Sequence, residues 1–204
     1  AVGATTLRGL PAWATFENRD PIKIGLIGCG GRGTGAANQE LAANDSAVIW
    51  AMGDAFEDRL TSSMNTLIGE KGDRAEVPKD RLFVGFDAFQ KVIDSGVDMV
   101  ILTTPPHFRP QHLAAAVKAK KHVFCEKPMA VDGTGVRSVM ESAQIAKEQD
   151  TNLMSGFCWR YAPAMRAAYK QILGGTIGDV RSIFASYYTA PLWTKPRKDD
   201  WSDM

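Results

Sequence analysis

The chain has 204 residues, with 24 Lys and Arg against 23 Asp and Glu and a formal net charge of +1. This balance creates no overall field that would attract nucleic acid or an anionic membrane, and no apolar run is long enough to cross a bilayer. Hydrophobic residues make up 45% of the sequence, which is ordinary for a globular protein with a sizeable core. The three cysteines lack metal or disulfide spacing, so we expect small buried thiols.

The amino-terminal segment differs from the rest of the chain. Residues 1–16 are rich in small and apolar side chains and begin without Met. We interpret residues 1–20 as an extension or as the trimmed remnant of an export signal, which would place the protein in the periplasm or outside the cell. A cytoplasmic location is the alternative, with the segment then serving as an arm on a neighbouring subunit or as a plain chain end.

Strand and helix patterns alternate from residue 21 onward. Short apolar runs predict buried strands at residues 22–27, 47–52, 81–84, 97–102, 122–125 and 153–157. Helical periodicity lies between them, at residues 34–43, 56–68 (ended by Gly69), 89–95, 111–120 and 136–143, with Asp132 as a candidate cap. This alternation is typical of βαβ units, so we predict an α/β fold, a Rossmann-type doubly wound parallel sheet over residues 21–160.

The pattern changes after residue 160. Residues 165–173 predict a helix that ends at Gly174 and Gly175, and residues 180–189 are rich in branched and aromatic side chains, which predicts a strand. A lone strand needs partners for its backbone groups. We therefore interpret residues 161–204 as the opening of a second domain.

The first predicted strand runs directly into a glycine loop made of Gly28, Cys29, Gly30, Gly31, Arg32 and Gly33. A G-x-G-x-x-G motif between a strand and a helix is typical of dinucleotide binding. The first glycine allows the tight turn, the second lets the backbone approach a pyrophosphate, and the third allows close helix packing. The helix amino terminus would attract the phosphates, and Arg32 could add a direct contact. The alternative is a glycine-rich turn without a ligand.

Asp54 follows the second predicted strand. An acid at this place commonly binds the hydroxyls of the adenosine ribose and would repel a 2′-phosphate. The next residues, Ala55 and Phe56, carry no positive charge. We therefore expect NAD as the cofactor, with NADP possible. Helix capping is an alternative role for Asp54, and one carboxylate can serve both.

Two further loops follow predicted strands at their carboxyl ends, where open α/β sheets bind ligands. One loop contains Thr103, Thr104, Pro105, Pro106 and His107, and the other contains Cys125, Glu126, Lys127 and Pro128. The Lys–Pro bond could be cis, and the lysine could donate a hydrogen bond to a substrate hydroxyl or oxyanion. The alternative is a surface ion pair. For His107 and His112 we expect packing or solvent exposure rather than catalysis.

These segments together resemble the glucose–fructose oxidoreductase / inositol dehydrogenase / MocA family. The resemblance lies in GCGGRG, in the strand end at Asp54, in TTPPH and above all in HVFCEKP. Residues 156–180 are also similar to that family's passage from the Rossmann domain into a second domain. The resemblance covers the chain from residue 21 to its end.

The resemblance implies an NAD(P)-dependent oxidoreductase that transfers hydride to or from a sugar-, cyclitol- or polyol-like substrate. It also implies that residues 161–204 are the truncated start of an α+β domain for substrate binding, and that a homo-oligomer forms through this second domain. It implies that Lys127 is catalytic, beside the nicotinamide and the reacting hydroxyl, and that Arg160 lies near the cofactor or substrate. The cofactor-binding candidates are Gly28, Cys29, Gly30, Gly31, Arg32, Gly33, Asp54, Thr103, Thr104, Pro105, His107, Glu126, Lys127 and Arg160.

One feature departs from the family pattern. The family uses a second-domain histidine with the lysine, whereas the three histidines of this chain, His107, His112 and His122, all precede residue 160. Either the catalytic half lies outside this chain or the chain is a fragment. A redox-assisted lyase, epimerase or glycosidase on the same fold, and a non-catalytic NAD-binding regulator, stay open as alternatives.

Overall fold

The computed structural model describes residues 20–191 and residue 197. The described residues divide into two units between Phe157 and Cys158, and each unit is described by itself. The expected export-signal remnant falls almost wholly on residues 1–19, which lie outside the described residues, so that expectation and the location derived from it stay predictions.

A six-stranded parallel sheet forms the centre of the first unit. Its strand order is β3-β2-β1-β4-β5-β6, and every neighbouring pair is parallel. The strands are β1 (Ile22–Ile27), β2 (Ala47–Asp54), β3 (Leu82–Val84), β4 (Met99–Leu102), β5 (His122–Cys125) and β6 (Leu153–Ser155). This order, which reverses direction between β1 and β4, is that of a doubly wound Rossmann sheet, and it confirms the predicted fold class.

Helices connect successive strands and bury both faces of the sheet. They are α1 (Gly31–Ala43), α2 (Glu57–Lys71), α3 (Ala88–Asp94), α4 (Arg109–Lys118) and α5 (Gly133–Glu148). Leu26 of β1 belongs to a core cluster with residues of α1 and α2, whereas the next residue, Ile27, belongs to a cluster with residues of α3, α4 and α5. Successive strand residues point to opposite faces, so β1 contributes to both cores.

The predicted end of α2 is wrong. The helix continues through Gly69 to Lys71, and Gly72, with φ of +59°, ends it. A side chain at Gly69 would meet open space, so no packing or backbone requirement interrupts the helix there. The helix stops where the chain adopts a positive φ, which glycine tolerates best.

The second unit contains a 3₁₀ turn, Cys158–Tyr161, and the predicted helix, here α6 (Pro163–Leu173). The predicted strand over residues 180–189 is wrong, because the described residues contain no strand there. A strand requires a hydrogen-bonded partner, and the described part of this unit supplies none. The domain boundary at residue 160 and the α+β second domain stay predictions.

Membrane-spanning and metal-binding features are absent from the described residues. No described helix combines the length and apolarity needed to cross a bilayer, and no described group of three or more His, Cys, Asp or Glu could hold a metal. Cys29 and Cys125 are buried as expected, and burial raises the pKa of the Cys125 thiol to about 12. Cys158 is exposed, which corrects the expectation for that residue.

Candidate active site

The glycine loop begins at a residue whose conformation requires glycine. Gly28 has φ of +96°, and a Cβ added there would lie 2.6 Å from the backbone nitrogen of Thr104. Its own N–H donates a hydrogen bond to the carbonyl of Gly53 at 2.8 Å. The loop therefore turns tightly where β1, β2 and the end of β4 come together.

Gly33 fixes the position of α1 on this loop. A Cβ at Gly33 would overlap the carbonyl oxygen of Gly28 and would lie 2.6 Å from Oγ1 of Thr103. Thr103 reinforces the contact, because its hydroxyl donates to the Gly28 carbonyl at 2.6 Å. The helix thus starts in direct contact with the loop, and its first N–H groups are the ones that a helix leaves without a partner inside the helix.

Gly30 differs from both, because no contact within the described part of the chain requires glycine there. Its φ of −73° and ψ of 177° are an ordinary extended conformation. The nearest heavy atom to an added Cβ is Nη1 of Arg59, at 3.8 Å. The missing side chain leaves open space beside the helix amino terminus, which is the space that a pyrophosphate occupies when it approaches a backbone of this type.

An open groove of about 500 Å³ runs from this glycine loop between α1 and α2. Thr34 and Ser63 close its floor through a hydroxyl–hydroxyl hydrogen bond of 2.7 Å. Arg59, in the first turn of α2, is exposed and lines the groove together with Gly30. Arg59 was not among the residues predicted from the sequence, although its place in the helix that follows Asp54 is a signal that could have identified it.

Asp54 joins the end of β2 to the glycine loop. Its Oδ2 accepts the N–H of Cys29 at 2.6 Å, and its Oδ1 accepts the N–H of Phe56 at 3.0 Å. The second bond forms a turn directly before α2 rather than a bond to an N–H within the helix. Each carboxylate oxygen keeps further acceptor capacity, so the residues present fit the two hydroxyls of a ribose.

Arg109 joins the loop that contains Thr104 to the loop that contains Glu126 and Pro128. It was not among the residues predicted from the sequence. Its side chain is buried, its Nε donates to the carbonyl of Thr104 at 2.7 Å, and its Nη1 donates to the carbonyls of Glu126, at 2.9 Å, and Pro128. Burial lowers the pKa of the Arg109 guanidinium, while nearby Cys125 and Glu126 oppose this. No sequence signal distinguished it, because an arginine at the start of a helix is usually exposed.

His112 packs inside the protein, as expected. Its ring stacks on Phe89 with centroids 4.1 Å apart, and its Nδ1 lies 3.1 Å from the hydroxyl of Thr104. Burial lowers the pKa of His112 to about 4, so the imidazole is neutral at physiological pH. Pro105 and His107 of the same loop are exposed at the carboxyl edge of the sheet.

Glu126 and Lys127 do not form the surface ion pair that was the alternative. Glu126 is buried, and its Oε1 accepts a hydrogen bond from Nε of Arg32 at 2.7 Å. Nη2 of Arg32 also lies 2.7 Å from this oxygen and completes an ion pair. Its Oε2 accepts the backbone N–H of Lys127 at 3.0 Å. The Lys127 side chain is exposed, and the Lys127–Pro128 bond is cis, as the sequence suggested.

The fold therefore brings most of the predicted site residues to one edge. The ends of β1, β2, β4 and β5 carry the glycine loop, Asp54, the Thr103–His107 loop and the Glu126–Lys127 pair. Arg160 lies in the 3₁₀ turn of the second unit. Its role near a cofactor or substrate stays a prediction, as do the binding roles of the other candidates.

Comparison with known proteins gives a consistent result. A family profile described as "Oxidoreductase family, NAD-binding Rossmann fold" (Gfo/Idh/MocA) matches residues 22–157. Myo-inositol 2-dehydrogenase of Thermotoga maritima is 31% identical over 157 residues, which are 77% of this chain and 42% of the relative. The dTDP-3,4-didehydro-2,6-dideoxy-alpha-D-glucose 3-reductase of Actinomadura kijaniata is 27% identical over 89% of this chain and 49% of its own length.

Among solved structures, scyllo-inositol dehydrogenase from Lactobacillus casei with bound NAD(H) and scyllo-inositol has a TM-score of 0.62 and 25% identity. The match covers 78% of this chain and 43% of that structure. The chain thus spans less than half the length of the relatives it matches. Because the family profile covers more than half of the 204 residues, the chain belongs to the Gfo/Idh/MocA oxidoreductase family.

Proposed function

We propose that this chain is the cofactor-binding part of an NAD(P)-dependent oxidoreductase that transfers hydride to or from a sugar-, cyclitol- or polyol-like substrate. Gly30 carries the proposal, because it leaves open space at a helix amino terminus that no contact within the described protein explains. The inositol dehydrogenases and the deoxysugar reductase among the relatives support the substrate class.

NAD is the expected cofactor, and Asp54 is the reason. Its carboxylate would accept hydrogen bonds from the ribose hydroxyls and repel a 2′-phosphate. Arg59 acts in the opposite direction, since it brings a positive charge to the same groove. The preference between NAD and NADP therefore depends on the balance between Asp54 and Arg59.

The residues present suit the chemistry that a bound nicotinamide supplies, which is acceptance or donation of hydride at a carbon next to oxygen. The amino terminus of α1 stabilises the phosphate charge, and Asp54 holds the ribose. Lys127, exposed beyond the end of β5, contacts the reacting hydroxyl through Nζ and takes or gives its proton. Arg109 holds the two loops on either side of this position together.

Turnover of the full-length protein tests the role of Lys127. With NAD and a panel of inositols and sugars, Lys127→Met should lower kcat by at least about a hundredfold, the low end for a general acid–base group. The affinity for NADH should stay within about twofold of the wild type, because the lysine acts on the substrate and not on the phosphates. Lys147→Met removes an exposed lysine of α5 and serves as the control. Full activity of Lys127→Met would show that the assigned role is wrong.

Association of subunits is a further part of the proposal. Described residues of the second unit expose large apolar side chains, among them Phe184 at 93% and Tyr188 at 91%. Large apolar side chains that are this exposed can mark interaction surfaces, which supports a homo-oligomer formed through this part of the chain. Sedimentation velocity of the full-length protein should show a species larger than a monomer, and a monomer at every concentration would contradict this.

A further inference from the structure

We propose that Arg32 is a positioning residue for Lys127, acting through Glu126, rather than a ligand of the cofactor phosphates. The inference rests on the proposed function of Lys127 at the reacting hydroxyl. It departs from the expectation, drawn from the glycine motif, that Arg32 contacts the phosphates directly.

The Glu126 carboxylate is buried. Its side chain is only 4% exposed, and burying a carboxylate costs free energy unless a counter-charge and hydrogen bonds accompany it. Arg32 supplies a counter-charge to this carboxylate through Nε and Nη2. Arg109 lies nearby, but it contacts the backbone carbonyl of Glu126 and not its side chain.

The Glu126 carboxylate is held from several directions. Nε and Nη2 of Arg32 both lie 2.7 Å from Oε1. On another side Gly156 follows β6, and a Cβ there would lie 2.9 Å from Cδ of Glu126. The remaining oxygen, Oε2, accepts the N–H of Lys127 at 3.0 Å, so the fixed carboxylate sets the backbone direction from which the lysine side chain leaves.

The Arg32 side chain extends toward Glu126. Its guanidinium reaches a residue 94 positions away in the sequence. The groove beside the helix amino terminus is lined by Gly30, Gly31 and Arg59, and Arg32 is not among its lining residues. The backbone N–H groups of α1 and the side chain of Arg59 therefore serve the phosphates, while Arg32 serves the loop that carries Lys127.

A split between turnover and cofactor affinity tests the proposal in the full-length protein. Arg32→Gln should lower kcat by at least about tenfold, since small displacements of a reacting group carry penalties of this size. The dissociation constant for NADH should change by less than about twofold. Arg32→Lys should recover most of the turnover, because an ammonium still neutralises Glu126. Arg137→Gln, an equal charge change at an exposed position of α5, should keep the kcat and the NADH affinity of the wild type.

A second readout does not depend on turnover. The rate at which a neutral acylating ester modifies Lys127, measured by peptide mass spectrometry, should change by at least about threefold in Arg32→Gln, because the Glu126 carboxylate that accepts the Lys127 N–H is no longer fixed. Lys147 serves as the internal standard.

The outcomes separate this proposal from the proposed function. At least tenfold weaker NADH binding in Arg32→Gln, with unchanged kcat and unchanged Lys127 acylation, would make Arg32 a phosphate ligand and overturn the inference. Absence of turnover in the wild type on every polyol would contradict the proposed function. The acylation rates would still show whether Arg32 positions Lys127.

Discussion

His112 shows how a single buried residue makes stability depend on pH. Burial lowers its pKa to about 4 from an ordinary value of 6.5. As the pH falls through this range, the unfolded chain takes up a proton at this histidine before the folded chain does. The free energy of unfolding that this neutral histidine contributes is therefore complete above about pH 6.5 and decreases toward pH 4.

We expect this single site to remove roughly 2–3 kcal/mol from the free energy of unfolding between about pH 7 and about pH 4.5. His112→Gln lacks the titrating ring, so its free energy of unfolding should fall less over the same interval. Urea unfolding of both proteins at the two pH values measures the difference. Parallel pH dependence in the wild type and in His112→Gln would contradict the assignment.

Asp54 provides a test of cofactor preference. NADH should bind more tightly than NADPH, because the carboxylate accepts the ribose hydroxyls and repels a 2′-phosphate. Asp54→Ala removes both effects and should narrow the gap, as followed by nicotinamide fluorescence. Asp45→Ala, an equal charge change at an exposed turn, should leave the gap as it is. NADPH binding as tight as NADH binding in the wild type would show that Arg59 dominates.

The places of Asp54 and Lys127 at the ends of strands were predictable from the sequence, because a motif and a strand end coincide there, whereas their binding and catalytic roles stay predictions. The contacts of Arg32 and Arg109 with Glu126 were not predictable, because Glu126 lies 94 residues after Arg32 and 17 residues after Arg109. A sequence shows that an arginine is present, but only the packed sheet determines which carboxylate or carbonyl it reaches. The positioning of the Glu126–Lys127 loop therefore came from the structure alone.

The elements of the sheet followed from short-range chemistry. The predicted bounds of residues 22–27 and 122–125 match β1 and β5, because compact runs of branched and apolar residues end there at glycine or charge. The prediction failed at residues 180–189, where a strand-like composition lacks a described partner. Strand propensity reflects how well a segment fits a sheet, and without a neighbouring strand it does not determine the conformation.

The start of α1 yields a prediction about packing between elements. Gly33→Ala would force a methyl group against the backbone carbonyl of Gly28, which cannot rotate away, and should lower the free energy of unfolding by about 1–3 kcal/mol. Gly31→Ala, two residues earlier, adds a methyl group to open space and should leave stability unchanged or raise it slightly. Thermal unfolding compares the two variants, and equal loss of stability in both would contradict the packing described for α1.

For the whole molecule, the first unit supplies a nucleotide-binding sheet, and the chain matches less than half the length of its relatives. The substrate is therefore proposed only as a class. We propose that the open space at Gly30, in the glycine loop of the first unit, accommodates the pyrophosphate of a dinucleotide.

Binding of NADH to Gly30→Ala tests this claim most directly. Alanine fits the φ of −73° and meets no atom closer than 3.8 Å, so the free energy of unfolding should stay within about 1 kcal/mol of the wild type. The added methyl group occupies the space assigned to the pyrophosphate, so NADH should bind at least about tenfold more weakly. Gly69→Ala, which also fills open space but on α2, should bind NADH as the wild type does. Wild-type affinity for NADH in a folded Gly30→Ala variant would contradict the account.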